Sequence, residues 1–108
     1  VTSLSRKLEE LWTKVCAGES GIVEIKNFDV SQYKVKFGGE IHPWTTEGYV
    51  HPKDAKRLDR FCQFGVVAAI DAIRDSGIDF SKEDPFRCGC ILGSGIGGLN
   101  EIEEQHAR

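Results

Sequence analysis

Apolar residues recur at three- and four-residue intervals over two stretches of this chain and alternate with polar ones over others. Leu8, Leu11, Trp12 and Val15 fall at i, i+3, i+4 and i+7 with charges between them, which predicts an amphipathic helix over 6–17 closed by Gly18. From Glu19 to about Tyr49 the pattern changes to short strand-like pieces, 21–25 and 35–41, punctuated by Asn27, Asp29, Ser31, Gly38 and Gly39. The strongest element is a helix over 52–76: Pro52 suits its first turn and Ser76-Gly77 its end. Leu58, Phe61, Cys62, Gly65, Val66, Ala69, Ile70 and Ile73 form one stripe along it. Its middle, 65–70, is apolar nearly all round, so it is expected to be covered on more than one side, by further protein or by a partner chain. A polar turn over 79–85, a strand over 86–92, a glycine-rich loop and a helix from about Gly98 complete the pattern. With no internal repeat and no low-complexity linker, all 108 residues read as one packed α/β unit.

Two segments carry candidate chemistry. Gly93, Gly95, Gly97 and Gly98 crowd the junction between the expected strand and the last helix, where missing Cβ atoms admit a ligand or a neighbouring chain. Gly93-x-Gly95-x-x-Gly98 matches a dinucleotide fingerprint, but the acidic residue expected about 20 positions on would fall beyond Arg108. Glu101, Glu103 and Glu104 also oppose a pyrophosphate at that helix start. The second segment is basic. Lys53, Lys56, Arg57 and Arg60 fall at i, i+3, i+4 and i+7, one helix face opposite the apolar stripe, with Asp54 and Asp59 pointing elsewhere. Cations at a helix start oppose the macrodipole, so the cluster is either a solvated face or a docking site for an acidic protein.

Composition narrows the classes. A chain of 108 residues with 40% hydrophobic and 29% charged residues is sized for one globular domain. No apolar run approaches the roughly 20 residues that span a bilayer. A net charge of −3 argues against general nucleic-acid binding. Cys16, Cys62, Cys88 and Cys90 contain no CxxC pair and no histidine at zinc-finger spacing, so neither metal nor cofactor is expected. Buried free thiols and a cytoplasmic location are the simplest expectation. The opening Val1-Thr2-Ser3-Leu4 reads as an interior cut of a longer chain, not as a secretory leader.

Taken together the motifs resemble a family, the β-ketoacyl-acyl carrier protein synthases, the elongating condensing enzymes of fatty-acid synthesis. The resemblance runs through Val1-Thr2-Ser3-Leu4, Trp12-x-x-Val15-x-Ala17-Gly18-x-Ser20-Gly21-Ile22, Phe28-Asp29, Tyr33 and Lys36-Phe37-Gly38-Gly39. It continues, in the family's order, through 53–61, Asp75-Ser76-Gly77 and 93–99. Ser5 departs from the glycine usual at its position.

The resemblance implies a thiolase-like α/β fold, layered αβαβα and dimeric, of which residues 1–108 are the N-terminal portion without the first strand and the nucleophile region. It implies a decarboxylating Claisen condensation: a cysteine takes an acyl group from acyl carrier protein, and the carbanion left by malonyl carrier protein attacks that thioester. The family's cysteine, two histidines and lysine match no position here, so no residue of this chain is assigned as catalytic, Cys88 and Cys90 included. Lys53, Lys56 and Arg57 match the basic helix start that contacts the carrier protein. Ile96, between Gly95 and Gly97, matches the apolar residue that gates the acyl pocket, against the plainer reading of a core contact. Two alternatives stay open: a non-catalytic, chain-length-setting partner of such an enzyme, which nothing within 1–108 separates from the enzyme itself, and a nucleotide-binding module.

Overall fold

The computed structural model describes all residues, Val1–Arg108. The single packed unit expected from the sequence is instead two compact units, Val1–Thr45 and Thr46–Arg108.

In the first unit, helix α1 spans Leu8–Cys16, within the expected bounds. Glu9 and Glu10 in its first turn and Lys14 in its last suit the macrodipole. Lys14 Nζ bridges Glu10 Oε1 at 2.8 Å and donates to the Leu4 carbonyl at 2.9 Å, while Ser5 Oγ donates to Glu10 Oε2. The N–H groups of Gly18 and Glu19 close the helix on the Val15 and Lys14 carbonyls, with Gly18 left-handed at φ 72°. The strand-like stretches shrink to two residues each, β1 (Val23–Glu24) and β2 (Phe37–Gly38), paired antiparallel with Val23 opposite Gly38. Gly21 and Gly39 flank the pair, and between its strands the chain turns where Asp29 Oδ1 accepts the Ser31 N–H. Beyond it Glu40 takes over: its carboxylate accepts the N–H groups of Lys26 and Asn27 at 2.9 and 3.0 Å, and its side chain is 7% exposed. It satisfies backbone donors that a longer β2 would otherwise have met.

In the second unit the expected helix over 52–76 is broken. α2 is one turn, Pro52–Ala55, and α3 runs Arg60–Ser76. Residues 56–58 form a tight turn, with Arg57 and Leu58 N–H on the carbonyls of Asp54 and Ala55. Asp59 is extended, and its carboxylate accepts the Phe61 N–H at 3.0 Å, so it caps a new helix and does not continue the old one. Gln63 Nε2 donates to both the Ala55 and Leu58 carbonyls at 3.0 Å and ties the turn to α3. Gly77, left-handed at φ 65°, ends α3 as expected.

Val67 is the one fully buried side chain, so the apolar middle of α3 is covered on one side only; Ala68 beside it is exposed. Tyr49 packs on α3 through its hydroxyl, which donates to Asp71 Oδ1 at 2.6 Å, and through the Arg74 guanidinium over its ring at 4.8 Å. The expected strand over 86–92 does not form. Asp79 and Asp84 cap short 3-10 turns at 80–82 and 85–87, and the chain then runs without a ladder partner to α4, Leu99–His106. A strand exists through its neighbour's hydrogen bonds, and nothing in this unit offers an edge to 86–92. Phe86 and Ile91 are accordingly 98% exposed. The four thiols are free, but not buried: Cys16 and Cys90 are exposed, Cys62 and Cys88 half-buried.

Candidate functional site

The basic segment is built by the two caps just described. His51, extended, accepts the Lys53 N–H on Nδ1 at 3.3 Å and starts α2, with Pro52 at its first position. Lys53 lies in that single turn, Lys56 is its C-cap and Arg57 lies in the turn beyond; all three are exposed and none forms an ion pair. Arg60 belongs to another helix, is half-buried, and lays its guanidinium over Phe64 at 5.5 Å. The expected face of four cations is therefore a group of three with Arg60 set apart. The reason is Asp59: a capping residue inside an unbroken apolar periodicity resets the backbone without disturbing the spacing of the apolar residues. A single-turn α2 also carries little macrodipole, so the cations lie there at less cost than a long helix would impose.

The glycine loop meets this segment at its other end. Gly93 and Gly95 face open space, and Ile96 between Gly95 and Gly97 is 75% exposed. Gly97 is left-handed at φ 87°, and a Cβ there would lie 2.9 Å from Phe61 Cζ. A Cβ on Gly98 would run into the Asp59 carboxylate. The loop thus ends against the first residues of α3, and Gly98 is at the same time the N-cap position of α4.

Sequence reasoning did not single out Asp59 and Phe61: one is a charge in a charge run, the other one apolar residue in a stripe. The readable signal was Asp59 itself, a favoured N-cap residue. Its carboxylate beside the start of α4, with Glu101 in the first turn, makes that helix start a poor seat for phosphate. No group of three or more His, Cys, Asp or Glu comes together to hold a metal ion, and no helix is long and apolar enough to cross a membrane.

The family model "Beta-ketoacyl synthase, N-terminal domain" matches residues 1–108. The chain belongs to the β-ketoacyl synthase family. It is 39% identical to the 3-oxoacyl-(acyl-carrier-protein) synthase 2 of Vibrio cholerae over 106 residues, covering 98% of this chain and 26% of that protein. It is 36% identical to the enzyme of the same name from Vibrio harveyi, with 99% and 26% covered, and 35% identical to that of Synechocystis, with 97% and 25% covered. The chain spans about a quarter of the length of these relatives. Within this β-ketoacyl synthase domain the basic segment and the glycine loop lie in one compact unit, Thr46–Arg108.

Proposed function

We propose that the protein carrying this segment is a 3-oxoacyl-acyl carrier protein synthase, an acyltransferase that condenses an acyl thioester with malonyl carrier protein and releases CO2 in fatty-acid elongation. The observation that carries this reading is the similarity to synthases of that name over nearly the whole chain. The segment supplies two parts of the machinery and none of the reacting groups. Lys53, Lys56 and Arg57, exposed and free of intramolecular ion pairs, dock the acidic carrier protein. Unpaired cations lose no existing partner when an acidic surface arrives, and they speed encounter by long-range attraction. Ile96, with Gly95 and Gly97, forms a movable apolar wall of the acyl pocket. The surrounding architecture is the thiolase-like one, αβαβα in layers and homodimeric, in the cytoplasm. The exposed Phe86, Ile91 and Leu92 then face apolar surface supplied by that larger fold.

Incubating the full-length protein with acyl and malonyl carrier thioesters tests the activity, with CO2 release and the 3-oxoacyl product expected. Absence of both acyl loading and turnover would overturn it in favour of a non-catalytic partner that sets chain length. Docking is tested by a Lys53→Glu, Lys56→Glu, Arg57→Glu variant. Carrier affinity should fall at low salt, and the difference from wild type should shrink as salt screens the charges; unchanged affinity would remove the assignment.

A further inference from the structure

The reading of Ile96 as the acyl gate leaves open what decides where the gate stands, and the geometry around Gly97 and Gly98 bears on that. A hydrophobic gate on a glycine loop takes a defined position when one end of the loop is held while the tip moves. Gly93 and Gly95 have nothing within 4 Å of the positions their Cβ atoms would take. At Gly97 and Gly98 that space is filled, at Gly97 by the edge of the Phe61 ring and at Gly98 by the Asp59 carboxylate. Both fillers start α3, and one hydrogen bond joins them, from the Phe61 N–H to Asp59 Oδ1 at 3.0 Å. Phe61 is 39% exposed, so its ring is a wall of the loop's seat more than a member of the core.

We infer that Asp59 and Phe61 are positioning residues for acyl selection: they form a fixed stop against which Gly97 and Gly98 seat, so that Ile96 swings about a hinge immediately beyond it. The inference rests on the proposed role of Ile96 and extends it to two residues to which that reading assigns no part. The division of labour follows from the chemistry. The ring tip limits how far Gly97 can approach α3, and the carboxylate, held by the Phe61 N–H, does the same for Gly98. Because Asp59 also caps α3, the stop is anchored to the helix that carries Val67, the fully buried residue of the unit.

The test uses the full-length protein and reads chain-length selectivity, the ratio of kcat/KM for a long to a short acyl carrier thioester, which a merely structural role would not move. Phe61→Ala should change that ratio at least about threefold, chiefly through KM of the acyl thioester, with Phe61→Leu restoring most of it. Asp59→Asn, which keeps the shape and the cap acceptor, should stay close to wild type. Ile96→Ala is measured in parallel. If Ile96→Ala shifts selectivity and Phe61→Ala does not, the stop is overturned while the gate stands. If Ile96→Ala shifts nothing, the gate reading fails and the stop falls with it. Should Phe61→Ala fail to fold, amide hydrogen exchange in Phe61→Val, whose side chain is too short to reach Gly97, decides the question. Faster exchange at 96–98 with unchanged exchange in α3 supports the stop, and unchanged exchange at 96–98 overturns it.

Discussion

The carboxylate of Asp59 occupies the space that a side chain on Gly98 would need, so the residue that caps α3 and the residue that caps α4 press against each other. Two helix starts are fixed by one contact, and either residue can disturb both. Gly98→Ala should displace the carboxylate from the Phe61 N–H and lower stability by about 1 kcal/mol, the usual cost of a lost cap. In urea unfolding, Gly98→Ala combined with Asp59→Ala should cost less than the two changes added, because the second finds the cap already broken. Full additivity would mean that the two sites act separately.

Gln63 holds the turn between α2 and α3 through two bonds from one amide nitrogen. Gln63→Met keeps the length of the side chain and removes both donors. It should cost about 1–2 kcal/mol and speed tryptic cleavage after Lys56 and Arg57 at least severalfold, since both are exposed and the turn that shields their backbone loosens. Equal cleavage rates would show that the turn stands without Gln63.

Val67 alone among the apolar side chains has no exposure. Val67→Ala should therefore lower unfolding stability by about 2 kcal/mol through lost burial and a residual cavity. Ala68→Ser, one position along and exposed, should change it by less than about 0.5 kcal/mol. Denaturant midpoints at constant slope make the comparison.

The Asp79 carboxyl is held below the ordinary aspartate range, first by the Ser81 hydroxyl, then by Lys82 and by the Ser81 N–H. Its folded value lies under its unfolded one, so its contribution is present above about pH 3.9, the ordinary value. That contribution disappears as pH falls through the lowered one. Following the Ser81 amide by NMR should give a midpoint below that of free aspartate, and Ser81→Ala should move it upward. A midpoint at the ordinary value would remove the hydrogen bonds as its cause.

Much of the helical structure could be read from periodicity, and its limits are instructive. Leu8, Leu11, Trp12 and Val15 placed α1, and Gly77 placed the end of α3, because spacing and a left-handed terminus are local properties. The break at 56–59 was hidden because Leu58, Phe61 and Cys62 keep helical spacing across it; periodicity records which side faces inward, not whether the backbone is continuous. The stretch 86–92 alternates like a strand, but a ladder needs a neighbour, and that is a long-range fact. Glu40, which holds Lys26 and Asn27 across more than a dozen residues, left no local trace at all. At the candidate site, Lys53, Lys56, Arg57 and Ile96 were legible as exposed charge and as an apolar residue among glycines. Asp59 and Phe61 were not, because what they do is meet Gly98 and Gly97, which lie 39 and 36 positions further along the chain.

The run from Cys88 to Gly98 contains no charged residue, and Ile91, Leu92 and Ile96 stand exposed along it. Uncharged apolar segments of this length are templates for intermolecular β pairing and aggregation. Gly89, Gly93, Gly95, Gly97 and Gly98 interrupt it, and glycine is a poor component of a β template. Gly93 and Gly95, which face open space, thus also help to keep an uncovered chain dispersed, and replacing either with valine would trade solubility for rigidity.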